Sequence, residues 1–137
     1  MRPVPILIFL SLLGAASLNL IQPSNAQNGG SSSQWDRCMH SGDAALGITS
    51  GMLDCHQEEL ARRNAALNAT YASLRRGLPP ARFAKLRAAQ REWIVRRDKR
   101  CWAKDPDFEG GTLATLNSMV CLIGQTKSRT LWLLRYR

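Results

Sequence analysis

Leu86-Arg87-Ala88-Ala89-Gln90-Arg91-Glu92-Trp93-Ile94-Val95-Arg96-Arg97-Asp98-Lys99-Arg100-Cys101 reads as a helix with one mixed face. With Phe83 just upstream, Leu86, Gln90, Trp93, Ile94, Arg97 and Cys101 recur at the three- and four-residue spacing of a single stripe. Trp93 and Ile94 supply bulk to it, whereas Gln90 and Arg97 add an amide and a fixed charge. A buried guanidinium is costly unless another group pairs with it. Arg97 is therefore expected to reach Asn68, Tyr71 or Thr126 on neighbouring helices, or to pair with a nearby carboxylate.

On the N-terminal side, Gly77-Leu78-Pro79-Pro80 ends one helix and pre-sets the next, since proline suits a first helical turn. The earlier helix is expected from Thr49 or Ser50, either of which can cap it. Leu53, Leu60, Leu67 and Leu74 recur along it every seven residues, with Asn64 and Tyr71 beside the same seam. On the C-terminal side, Asp105 to Gly111 reads as an acidic, glycine-rich loop. Thr112 can cap a third helix, whose apolar stripe is Leu113, Leu116, Val120, Ile123, Lys127, Leu131 and Leu134. No stretch alternates in the manner of a strand. The expected fold is all-α, a small antiparallel three-helix bundle over 48–137, packed up-down-up by its short connections.

The start of the chain carries an address. Met1-Arg2, the apolar run from Val4 to Leu20 and the small residues Ser24-Asn25-Ala26 describe a secretory signal peptide over 1–26, cleaved after Ala26. A transmembrane anchor is the alternative, but the unbroken apolar run is short for a ~20-residue span, so the mature form is expected to have no such anchor. Positions 27–47 read as a flexible, then irregular, lead-in. Four cysteines (Cys38, Cys55, Cys101, Cys121) behind a signal peptide imply two disulfides in an oxidising compartment, periplasmic or extracellular. Three pairings are open. The up-down-up course brings all four cysteines toward one end, and of the three pairings the local ones, Cys38–Cys55 and Cys101–Cys121, are favoured. A metal site built from Cys38, His40, Cys55 and His56 is the competing reading, but the spacings match no common zinc pattern. No metal or other cofactor is expected.

Within this frame the sequence resembles a known family. The pattern Cys38 … Thr49-x-x-Met52-x-x-Cys55 … Leu67-Asn68-x-x-Tyr71 … Leu86-Arg87-x-Ala89-Gln90-x-x-Trp93-Ile94-x-x-Arg97-Asp98-x-x-Cys101 … Gly110-Gly111 … Cys121-Leu122 … Thr126-x-x-Arg129-x-x-x-Leu133 is similar to that of the LprI-like lysozyme-inhibitor family. The similarity runs through nearly the whole mature chain. It implies a small helical protein of the bacterial envelope, secreted or lipid-anchored, in a family whose founding member is a lipoprotein that inhibits lysozyme. The motif residues read as structural: Asn68, Tyr71, Gln90, Arg97, Asp98 and Thr126 as a polar network inside a small core that specifies one packing, with Trp93 and Arg129 beside them. Two features depart from the family. Asn64 stands where an acid is usual, and the lipoprotein cysteine is lacking, which points to a soluble protein.

Charge frames the function. The 137 residues hold 19 Lys and Arg against 10 Asp and Glu, a net +9. The resemblance implies a protein that binds and blocks lysozyme without catalysis. A basic enzyme would repel so basic a partner at long range, so contact would fall to the acidic Asp105, Asp107 and Glu109, or to a basic side chain reaching the enzyme's catalytic carboxylates. The alternative is a binder of anionic envelope polymers, or a structural envelope protein. Arg87, Arg91, Arg96 and Arg100 give the central helix a basic outer surface for such a partner. No motif for specific nucleic-acid binding accompanies this charge. An enzyme is disfavoured, because His40 and His56 both lie close to disulfide cysteines and the carboxylates are scattered.

Overall fold

A computed structural model describes residues 32–102 and 111–136. The expected signal peptide and the acidic residues Asp105, Asp107 and Glu109 lie outside these. The described chain forms α1 (Ser33–Met39), α2 (Gly42–Ala45), α3 (Thr49–Gly77), α4 (Pro80–Cys101) and α5 (Thr112–Arg135), with no strand among the described residues. The last three are the helices expected. Proline stands at the first position of α4. Thr49 and Thr112 each open a helix without capping it, since Ile48 and Gly111 hold the cap positions.

The stretch expected to be irregular instead contains α1 and α2. The Ser32 hydroxyl caps α1 by accepting from the Trp35 amide at 3.1 Å. The Cys38–Cys55 disulfide ties this helix to α3. α2 lies so close on α3 that a Cβ at Gly51 would stand 2.6 Å from the Ala44 amide nitrogen and 2.7 Å from the Asp43 Cβ. Only glycine admits that approach.

Leu67, Leu86 and Leu133, one from each long helix, form the buried core cluster. Tyr71, Leu74, Leu78, Phe83, Trp93 and Tyr136 pack around it. This sets the C-terminal halves of α3 and α5 beside the N-terminal half of α4, so the three helices run up, down and up. The Cys101–Cys121 disulfide closes α4 onto α5 at the opposite end. Both disulfides are the local pairs expected.

Two helical faces differ from expectation. On α5 the buried positions are Leu122, Thr126 and Leu133. The more apolar stripe read from the sequence turns outward, leaving Leu113, Val120, Leu131 and Leu134 exposed. The bond from Cys121 to α4 fixes the rotation of α5 about its axis, and that rotation overrides the apolar count. On α4, Leu86, Gln90 and Cys101 are buried as expected, but Ile94 is 40% exposed and belongs to the flank.

Candidate functional site

Where α4 meets α5, cations and rings alternate along a seam. The Arg97 guanidinium lies 5.0 Å from the Trp93 ring centre. Arg129, from α5, lies 5.6 Å from the same ring and 3.9 Å from Trp132. Trp132 stands 5.1 Å from Tyr136, and Arg82 closes the series 5.7 Å from Tyr136. The row spans fifteen positions of α4, roughly 22 Å at the helical rise. Each cation–π contact contributes ~0.5–2 kcal/mol, depending on how far it is desolvated. Arginine suits this role, because its weakly hydrated planar group stacks on rings.

Arg129 is the guanidinium that the bundle places inward. Its Nε donates to the Gln90 Oε1 at 2.8 Å, joining α4 to α5 through a buried amide. Its Nη2 is buried without a hydrogen-bond partner. Burial, and then the positive charge of Arg96, lower the Arg129 pKa from its ordinary value. Arg97 follows the last of its expected courses: its side chain, 16% exposed, pairs with the adjacent Asp98 at 2.8 Å. It does not join Asn68, Tyr71 or Thr126.

The single polar network expected of the motif residues is therefore not formed. Asn68 is exposed. Tyr71 belongs to the apolar cluster, 5.4 Å from Phe83. Thr126 is fully buried, and its hydroxyl has no hydrogen-bond partner. Gln90, Trp93, Arg97, Asp98 and Arg129 do gather, as two pairs flanking one indole. Arg87, Arg91, Arg96 and Arg100 are exposed on α4 as expected, and Arg96 pairs with Glu92 at 3.4 Å.

A second polar centre is absent from the sequence reading. Glu59, 2% exposed, sits on α3 beneath α1. It accepts from the Ser32 hydroxyl at 2.6 Å, Arg62 Nε at 3.0 Å and Arg63 Nε at 2.7 Å. Burial opposes ionisation of this carboxyl. The hydrogen bonds from Ser32, Arg62 and Arg63, with the Arg63 charge, outweigh it and hold the pKa below 4.5. The signal that could have found Glu59 is its spacing, three and four residues before two arginines. His56, beside it, is buried against the Trp35 ring at 5.4 Å, with Nδ1 2.7 Å from the Met52 carbonyl. These partners are structural. Among the described residues no group of three His, Cys, Asp or Glu could hold a metal ion, and no helix is long and apolar enough to cross a membrane.

Charge is segregated along the bundle. Every acid falls at positions 36–59 or 92–109, and none lies at 60–91 or 110–137. The described acids thus belong to the half closed by the disulfides or, for Glu92, to mid-α4. Among the described residues the far end, where α3 stops, α4 starts and α5 stops, carries Lys and Arg and no Asp or Glu.

Among protein-family models, that of the lysozyme inhibitor LprI matches residues 38–133. No curated protein and no solved structure matches the chain.

Proposed function

The chain belongs to the lysozyme inhibitor LprI family, and from that premise we propose that it is a secreted or periplasmic protein that binds and blocks a lysozyme-like muramidase without catalysis. The observation that carries this reading is the match across 38–133, which takes in both disulfides, the Gln90–Arg129 pair and the core cluster. Two disulfides suit an oxidising compartment.

Charge segregation supplies a surface for the contact. A basic muramidase meets repulsion over most of a +9 chain, but the disulfide-bonded half exposes Asp43, Asp54 and Glu58 on α2 and α3. Opposite charge there would orient the encounter and raise the association rate. The test is inhibition of cell-wall lysis by the oxidised protein against a panel of basic and neutral muramidases. Stoichiometric inhibition is expected, weakened several-fold by the Asp54→Asn, Glu58→Gln double variant mainly through slower association. No inhibition of any panel member at low salt and molar excess would end this reading.

A further inference from the structure

The acid-free end of the bundle carries a shallow, open cleft of about 390 Å³ lined by Arg82, Trp132, Arg135 and Tyr136. Its two aromatic rings adjoin at 5.1 Å and are tilted by 46° to each other. Arg82 lies over Tyr136, from the first turn of α4. Arg82 and Arg135 are both exposed, and neither forms a salt bridge with a carboxylate among the described residues. The end of α3 and the start of α4 also carry Arg75, Arg76 and Lys85 and no Asp or Glu. A solvated basic surface does not need this arrangement. Two guanidiniums beside a half-exposed indole and a phenol combine forks that take an anion bidentately with rings that cover a flat, partly apolar face. The carbonyl ends of α3 and α5 outnumber the amide end of α4 here, so the side chains must supply the attraction.

We propose that this cleft binds a phosphorylated sugar, its ring against Trp132 and Tyr136 and its phosphate between Arg82 and Arg135. The site lies at the opposite end from the acidic surface assigned to the muramidase and does not depend on that assignment. A single ring and a single anion suit its size. A nucleic-acid strand needs stacking platforms spaced along a basic groove, which two adjoining rings do not provide.

The test is a titration of the oxidised protein with glucosamine 1-phosphate, followed through the Trp132 indole resonance, beside glucosamine, inorganic phosphate and a short oligothymidylate. The sugar phosphate should bind ~10-fold more tightly than glucosamine or phosphate alone, as a joint fork and ring site requires. The Arg82→Ala, Arg135→Ala variant should lose roughly 10-fold, and Arg82→Lys, Arg135→Lys should recover only part of this, because an ammonium lacks the fork. Arg96→Ala, Arg100→Ala at the other end should stay within about twofold of the parent. A cooperative melt, lowered by no more than loss of the Arg82–Tyr136 contact requires, will show that these variants are folded. Sedimentation with vesicles bearing a phosphorylated glycolipid, against phosphatidylglycerol vesicles of equal charge, separates the sources. Retention on the glycolipid alone assigns the ligand to a membrane head group; sugar phosphate binding without retention assigns it to a soluble or polymeric glycan. Equal loss in the Arg96, Arg100 variant, equal affinity for inorganic phosphate, equal retention on phosphatidylglycerol or tighter binding of the oligothymidylate would each overturn the proposal.

Discussion

Replacing Arg129 by Met keeps the stem of the side chain and removes only its guanidinium. The variant loses the charge-assisted bond to Gln90, 2.8 Å in the parent, a loss of about 1.5–3 kcal/mol that includes stranding a buried amide oxygen. It also loses the stack on Trp132 at 3.9 Å, roughly 1 kcal/mol. Removing the buried, unpartnered Nη2 returns about 1 kcal/mol. The net is a destabilisation of about 2 kcal/mol, which in a domain of this size lowers the melting temperature by roughly 10 °C. Arg97→Met should do less. Its partner Asp98 has a side chain 45% exposed, so solvent screens the pair to ~0.5 kcal/mol, and the Trp93 contact at 5.0 Å adds about as much. Thermal melts followed by circular dichroism at 222 nm compare the two. Gln90→Met in the Arg129→Met background should be less than additive, since the acceptor has already lost its donor. A larger fall for Arg97→Met than for Arg129→Met would refute the assignment of the inward guanidinium.

Three further outcomes follow from the same geometry. The carboxyl of Glu59 is held below its usual 4.5, so the stability it contributes is present above that pH and is lost as the pH falls through the lowered value; Glu59→Gln should flatten the acid limb of a plot of melting temperature against pH. Leu133, fully buried in the three-helix cluster, should cost about 2–5 kcal/mol when replaced by Ala, read from urea unfolding at an unchanged slope. Gly51→Ala drives a methyl group into the α2 backbone and should raise amide exchange across Gly42–Ala45 while leaving α4 and α5 protected; uniform protection would show that α2 docks elsewhere.

The long helices were legible because their boundaries carry chemistry. Gly77-Leu78-Pro79-Pro80 can only interrupt a helix, and Leu53, Leu60, Leu67 and Leu74 mark a seam that the bundle uses. What escaped was rotation. α5 carries two stripes, and counting apolar residues selects the one through Val120 and Leu131, whereas the disulfide at Cys121 turns inward the one through Thr126 and Arg129. The same rotation brings Arg129 inward onto Gln90, beside the ring that Arg97 also covers. Glu59 escaped because it lies off the leucine seam, on a face that only α1 and α2 cover, and neither short helix announces itself by periodicity. The cleft at the acid-free end was invisible for a related reason: Arg82 and Tyr136 are more than fifty positions apart and meet only once α4 runs back along α5.

Viewed as a covalent graph, the protein falls into two closed rings. Cys38–Cys55 links α1 to α3, and Cys101–Cys121 links α4 to α5, with separations of 17 and 20 residues. Neither bridge crosses from the first group to the second. The only bonded path between them is the short turn between Gly77 and Pro80. A single nick in that turn would part the described chain into two independently cross-linked pieces, joined only by non-covalent contacts, chiefly the packing of α3 on α5. Oxidation therefore restrains each piece within itself and leaves their union to packing alone, so the α4–α5 hairpin of one molecule is chemically free to complete the α1–α3 unit of another.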